Sequence, residues 1–79
     1  MDFKKIILRK MFRRRVIGGK HTAIENLTNG LPRHAAGDAK QAALELVKDG
    51  YILSKPTSYG LQVSLNPEKI DEIARMIED

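Results

Sequence analysis

Hydrophobic positions in the first fifteen residues recur at helical spacing and predict an amphipathic helix. Asp2 supplies the N-cap, and the segment to about Arg15 is rich in good helix formers. Its apolar side is formed by Ile7, Leu8, Met11 and Phe12. Lys5, Arg9 and Arg13 form a basic stripe on another side. Val16 and Ile17 are β-branched and precede Gly18-Gly19, so the helix is expected to give way to a short strand there.

The next helical signal is a capping-box pattern, Thr22-Ala23-Ile24-Glu25. In such a box the threonine hydroxyl accepts from the glutamate amide, and the glutamate carboxylate accepts from the threonine amide. The pattern predicts a helix that begins near Ala23. This helix is short, because Asn29-Gly30 supplies a left-handed stop and Pro32 discourages continuation. Residues 31–34 then form a turn.

Apolar spacing resumes from about His34 to Asp49 and predicts a longer helix, with Gly50 as its C-terminal stop. One face of this helix collects Ala36, Ala39, Ala43, Leu46 and Val47. The opposite face is polar and is expected to look outward: His34, Gly37, Asp38, Gln41, Glu45 and Lys48, with Arg33 and Lys40 at its border. Gly37 either permits close approach of a ligand to the backbone or is only a local weakness of about 1 kcal/mol relative to alanine.

Two strand-like segments follow, Tyr51-Ile52-Leu53 and Leu61-Gln62-Val63-Ser64-Leu65. The second alternates apolar with polar residues, as a half-buried strand does. Residues 54–60 join them as a turn marked by Pro56 and Gly60. Tyr59 in this tip either stacks on a base or packs back on its own strands, and packing is favoured slightly.

A last helix is predicted from the start signal Asn66-Pro67-Glu68 to the end of the chain. Ile70, Ile73, Ala74 and Ile77 share one face, and acidic residues dominate elsewhere. This acidic helix is expected to pack against the basic first helix, either within one chain or across the axis of a homodimer formed through the terminal helices.

The 79 residues carry a net charge of +4 that is concentrated near the N-terminus. Residues 1–21 hold eight Lys or Arg against one Asp, and the remainder of the chain is slightly acidic. The cluster Arg13-Arg14-Arg15 with Lys20 suits phosphate binding, although a solvated helix face explains it nearly as well. The apolar runs are too short for a membrane span, and the charged N-terminus lacks a secretory signal, so a cytoplasmic protein with no membrane contact is expected.

The ensemble resembles a winged helix-turn-helix domain and is similar to small winged-helix proteins of archaea. The resemblance is carried by T-A-I-E, by A-K-Q-A-A-L-E-L-V-K-D-G and by the hairpin Y-I-L-S-K-P-T-S-Y-G-L-Q-V-S-L. It implies an α+β fold with a three-helix core, a β-hairpin wing and an additional C-terminal helix. The whole chain, 1–79, is then one domain, divided into a basic helix (1–15), a helix-turn-helix (22–50), the wing (51–65) and the C-terminal helix (66–79).

By that resemblance, residues 20–22 would meet the phosphate backbone, residues 33–41 the bases and residues 55–59 a neighbouring groove. The predicted nucleic-acid-binding residues are Arg13, Arg14, Arg15, Lys20, His21, Thr22, Arg33, His34, Lys40, Gln41, Lys48, Lys55, Thr57, Ser58 and Tyr59. We expect a double-stranded DNA-binding transcriptional regulator. The alternatives are an RNA-binding or ribosome-associated module and a protein-interaction module.

Catalysis is not expected. Neither His21 nor His34 has a nearby serine or carboxylate that would indicate a nucleophile or a general base. Cysteine is absent and the two histidines lack the spacing of metal ligands, so neither a metal nor a cofactor is expected. The sequence Gly19-Lys20-His21-Thr22 suits one phosphate group, because backbone amides at a helix start, a lysine and a hydroxyl would meet there.

Overall fold

A computed structural model describes residues 2–78 and shows an α+β fold. Within these residues, three α-helices accompany one three-stranded antiparallel sheet with the strand order β1-β3-β2. The elements, in chain order, are α1 (Phe3–Arg13), β1 (Thr22–Ala23), a 3₁₀ helix (Ile24–Leu27), a second 3₁₀ helix (Arg33–Ala35), α2 (Ala36–Lys48), β2 (Ile52–Thr57), β3 (Gly60–Leu65), a third 3₁₀ helix (Pro67–Lys69) and α3 (Ile70–Met76). No helix among residues 2–78 is both long enough and apolar enough to cross a membrane.

The first helix forms as its sequence predicts. The Asp2 carboxylate accepts a hydrogen bond from the Lys5 amide at 3.1 Å, which satisfies one of the free donors at the helix start. Its apolar side is buried at Ile7, Leu8 and Met11 and half-buried at Phe12. The helix ends at Arg13, and Arg15 then adopts a left-handed backbone conformation with φ of +56°.

The strand expected at Val16 and Ile17 is reduced to one isolated parallel bridge between Ile17 and Leu65. Leu65 donates its amide to the Val16 carbonyl at 2.8 Å, and its own carbonyl accepts from the Gly18 amide at 3.0 Å. The strand that completes the sheet is instead β1, where Thr22 pairs with Val63 and Ala23 with Gln62.

The prediction of a capping box at Thr22 is therefore wrong. Pairing with β3 holds Thr22 in a strand, and its hydroxyl accepts from the Asn26 side-chain amide at 3.0 Å instead of from the Glu25 backbone. The helix predicted from Ala23 is a single 3₁₀ turn, Ile24–Leu27, and Ala23 precedes it without a side-chain cap. Long-range strand pairing has overridden the local helix signal.

The second α-helix packs through its small-residue face, as predicted. Its buried residues are Ala39, Ala42, Ala43 and Leu46, while Ala36 and Val47 are half-buried. Gly50, with φ of +87°, closes its C-terminus: the Gly50 amide donates to Val47 O at 3.1 Å and the Tyr51 amide to Leu46 O at 3.0 Å. This is a Schellman motif, and it satisfies carbonyls that the helix end leaves free.

The hairpin is longer and its tip tighter than predicted. Strand pairing continues to Thr57 opposite Gly60, so the predicted seven-residue turn over residues 54–60 contracts to Ser58 and Tyr59. Pro56 does not interrupt β2, because β2 is an edge strand and proline, which lacks an amide hydrogen, is tolerated there.

The alternation in β3 also fails at one position. Ser64 is fully buried, and among residues 2–78 its hydroxyl has no hydrogen-bond partner.

The C-terminal segment begins at its predicted cap and turns back onto the body of the protein. Asn66 Oδ1 accepts from the Glu68 amide at 3.0 Å, while its Nδ2 donates to Gly50 O at 2.8 Å. The helix starts as a 3₁₀ turn, becomes α3 at Ile70 and ends at Met76. The prediction that this helix reaches the end of the chain is wrong at Ile77 and Glu78, which follow the helix, and residue 79 lies outside the described residues.

The acidic last helix lies against α1 within one chain. Ile73 is buried in the core, and the guanidinium of Arg9 donates to Ile77 O at 2.9 Å. On the neighbouring side, Tyr51 donates its hydroxyl to the Glu72 carboxylate. A homodimer through the terminal helices stays a prediction, with Met76 as an exposed apolar residue on α3.

Candidate nucleic-acid interface

The polar face of α2 points away from the core. The buried alanines hold one side of the helix against α1 and β2, so the residues between them are directed outward. All the residues predicted for the outward face and its border are exposed: Arg33 and His34 in the second 3₁₀ helix, which leads into α2, and Gly37, Asp38, Lys40, Gln41, Glu45 and Lys48 in α2 itself. A methyl group added at Gly37 would meet no atom within 4 Å, so the backbone there is open to a ligand.

One apolar residue on this face was missed by the sequence argument. Leu44 is 40% exposed and lies one helical turn from both Gln41 and Lys48. Its position out of phase with the buried alanines was the available signal, because an apolar residue outside the core stripe is free to contact a partner.

One acidic residue of the face forms an ion pair with α1. Glu45 pairs with Lys4 of α1 across 3.3 Å, so part of its negative charge is offset by a cation of the same chain. Both side chains are nearly half exposed, so this pair adds little to stability. Its effect is to make the middle of the α2 face less repulsive to a polyanion.

A small groove lies where the first 3₁₀ helix meets the start of α2. It has a volume of about 220 Å³ and is lined by Ile24, Glu25, Thr28, Ala36, Gly37 and Lys40. Its lining is mostly apolar side chains and methyl groups, with one carboxylate and one ammonium group at the border. The groove therefore adjoins the N-terminal half of the outward face.

The basic end of α1 forms a larger groove of about 420 Å³, lined by Ile6, Arg9, Lys10, Arg13 and Arg14. Lys10 donates to Asn29 O at 2.7 Å, in the connection between the first two 3₁₀ helices. Partial burial and the neighbouring Arg14 lower the pKa of Lys10. Arg13, Arg14 and Arg15 are exposed, so this end of the helix presents positive charge beside the connection that leads into α2.

The phosphate-binding site predicted at residues 19–22 lacks the helix start on which it depended. Lys20 and His21 are exposed, but Thr22 belongs to β1, and the helix that follows is a single 3₁₀ turn that begins only at Ile24. The Thr22 hydroxyl is also engaged by Asn26. Lys20 and His21 remain available as surface donors without a preformed cradle.

At the hairpin tip, the preferred expectation for Tyr59 is wrong: the side chain is 95% exposed and does not pack on its own strands. Lys55, Thr57 and Ser58 are exposed as well. The Thr57 hydroxyl donates to Gly60 O at 2.7 Å and accepts from the Tyr59 amide at 3.2 Å. A compact, hydrogen-bonded turn thus carries an uncovered aromatic ring.

The predicted residues lie in five places: the end of α1 and the residues just after it, residues 20–22 at the start of β1, the second 3₁₀ helix, the outward face of α2, and the hairpin. Within the described part of the chain, no group of three or more His, Asp or Glu side chains is arranged to hold a metal ion. Comparison with known proteins gives no match for this chain, whether with family models, with curated proteins or with solved structures.

Proposed function

We propose that the chain is a winged helix-turn-helix protein that binds double-stranded DNA, acting in the cytoplasm as a transcriptional regulator with no catalytic activity of its own. The observation that carries this proposal is the exposed polar face of α2, backed by a buried face of small residues. An α-helix fits the width of the major groove, and side chains in its N-terminal half reach base edges there.

The order of the elements supports the proposal. A helical turn at Ile24–Leu27 is followed by a connection, by α2 and then by an antiparallel hairpin. A recognition helix followed by a hairpin can touch a duplex at two places, in the groove and beside it.

The side chains on the α2 face, and on the second 3₁₀ helix that leads into it, match what base recognition needs. Arg33 and Lys40 can donate to guanine, and Gln41 can pair with adenine through its amide. His34 adds a further polar contact, and the open backbone at Gly37 lets the helix approach closely.

Exposed cations at and just after the end of α1, before β1 and in the last turn of α2 supply the phosphate contacts. They are Arg13, Arg14, Arg15, Lys20 and Lys48. Each contact releases condensed counterions from the nucleic acid, so affinity falls as salt rises.

The test is a binding measurement by fluorescence anisotropy with a labelled pool of random-sequence duplexes at low salt. The expected result is saturable binding that weakens steeply as salt is raised and resists competition by structured RNA. If unlabelled structured RNA displaces the labelled duplex at a lower concentration than unlabelled duplex DNA does, the protein is an RNA-binding module. Absence of binding to either nucleic acid at low salt would favour a protein-interaction module.

A further inference from the structure

The two tyrosines of this chain are used in opposite ways. Tyr51 is half-buried, its hydroxyl donates to Glu72, and the Lys69 ammonium lies 5.9 Å from its ring centroid. Tyr59 is 95% exposed at the hairpin tip. Its ring therefore does not contribute to the core, and its whole apolar surface faces solvent.

The tip that carries Tyr59 is held in one shape. The strand ladder runs to the pair Thr57 and Gly60, and the Thr57 hydroxyl bridges the turn through bonds to Gly60 O and to the Tyr59 amide. Gly60 takes a φ of +120°, a conformation that other residues rarely adopt, and so allows the chain to reverse over two residues. The backbone of the tip is preorganised, so a ligand that meets the ring orders little more than two side-chain torsions.

The hairpin has almost no charge with which to hold phosphates. Lys55 is its one charged residue between Ile52 and Leu65. Since phosphate affinity depends on cationic contacts, the ring of Tyr59 is the strongest means of binding that this hairpin offers.

We propose that Tyr59 is a stacking site for an unpaired nucleobase next to the bound duplex, a role that rests on the nucleic-acid binding proposed above. Stacking of one base on an aromatic side chain is worth about 5- to 150-fold in affinity and tolerates any base. In an intact duplex both faces of each base are already stacked, and opening a step costs a comparable amount. The ring thus gains most where a base face is already free, at a single-stranded overhang, a bulge or a mismatch.

The test compares three labelled ligands that share one duplex: blunt, with a three-nucleotide overhang, and with an overhang of abasic nucleotides. The abasic overhang keeps the phosphates and removes the bases. Wild-type protein is expected to bind the base-containing overhang at least about 5-fold more tightly than the abasic one. Tyr59→Phe keeps this preference, and Tyr59→Ala abolishes it, so that the base-containing and abasic overhangs bind with equal affinity.

Ser54→Ala, at an exposed position of the same hairpin outside the predicted binding residues, is the matched control and retains the full preference. A second readout uses the absence of tryptophan from the chain. Tyr59→Trp introduces a single indole, whose emission is expected to be quenched by the base-containing overhang and not by the abasic one.

The outcomes separate the two proposals. Equal affinity for both overhangs, with no effect of Tyr59→Ala and no quenching, overturns the stacking site while binding to the blunt duplex upholds the proposed function. If Tyr59→Ala lowers affinity for all three ligands by the same factor and the preference between the two overhangs is retained, the ring contacts paired DNA and the unpaired-base proposal is overturned. Failure of the wild-type protein to bind any of the three ligands at low salt overturns both.

Discussion

Neutralising two cations at the end of α1 tests whether this end of the helix contacts phosphates. Arg13 and Arg14 are both exposed, so the double substitution Arg13→Gln with Arg14→Gln removes charge without disturbing the core. Surface substitutions of this kind change the free energy of unfolding by less than about 0.5 kcal/mol. A change in binding is then attributable to the interface.

The expected magnitude follows from counterion release. Each phosphate contact contributes about 0.9 to the slope of log affinity against log salt, so loss of two contacts lowers the slope by about 1.8. Between about 50 and about 200 mM salt, the double variant is expected to lose about 12-fold less affinity than the wild-type protein. The measurement is fluorescence anisotropy over a salt series with a labelled duplex.

Arg75→Gln is the matched control, because Arg75 is an exposed arginine on α3, outside the proposed interface. It alters net charge as Arg13→Gln does but is expected to leave the slope unchanged. If the double variant keeps the wild-type slope, Arg13 and Arg14 do not contact phosphates. If Arg75→Gln lowers the slope by about 0.9, the charge of the whole molecule, and not the end of α1, governs binding.

Three further predictions concern stability, each measured by denaturant unfolding. Gly37→Ala is expected to stabilise the protein by about 0.5–1 kcal/mol, because the added methyl group meets open space in a helix. Gly50→Ala is expected to destabilise the protein by about 1–2 kcal/mol, because Gly50 has a positive φ, and equal effects of the two substitutions would contradict this reasoning. Ser64→Ala is expected to stabilise by about 1 kcal/mol through loss of an unpaired buried hydroxyl, and marked destabilisation would show that the hydroxyl has a partner. The hydrogen bond to Glu72, and secondarily desolvation, raises the pKa of Tyr51, so this hydrogen bond stabilises the folded protein below about pH 10 and its contribution is lost as pH rises through the pKa of the folded state. Tyr51→Phe is expected to remove this loss of stability at alkaline pH.

Local signals predicted the elements whose hydrogen bonds are local. The Asp2 and Asn66 caps, the buried alanine face of α2 and the stop at Gly50 all depend on residues within one or two helical turns. Such features follow from short-range geometry that the sequence displays directly. The outward direction of Arg33 and its neighbours followed from the same spacing.

The errors arose where distant segments decide the conformation. Thr22 has a strong capping pattern, but its pairing with Val63, forty-one positions later, makes it a strand residue. Ser64 occupies a position expected to be solvent-facing and is buried instead. The closed tip and the exposure of Tyr59 depend on how far the ladder between β2 and β3 extends, which Pro56 and Gly60 alone do not specify.

The most direct test of the central claim is amide chemical-shift mapping by NMR of the isotope-labelled protein during titration with duplex DNA at low salt. The account predicts that the largest shifts fall at residues 33–41 and near the end of α1, with α3 nearly unchanged. Shifts concentrated on α3, with residues 33–41 unaffected at saturation, would contradict the claim that the polar face of α2 is the nucleic-acid-binding surface.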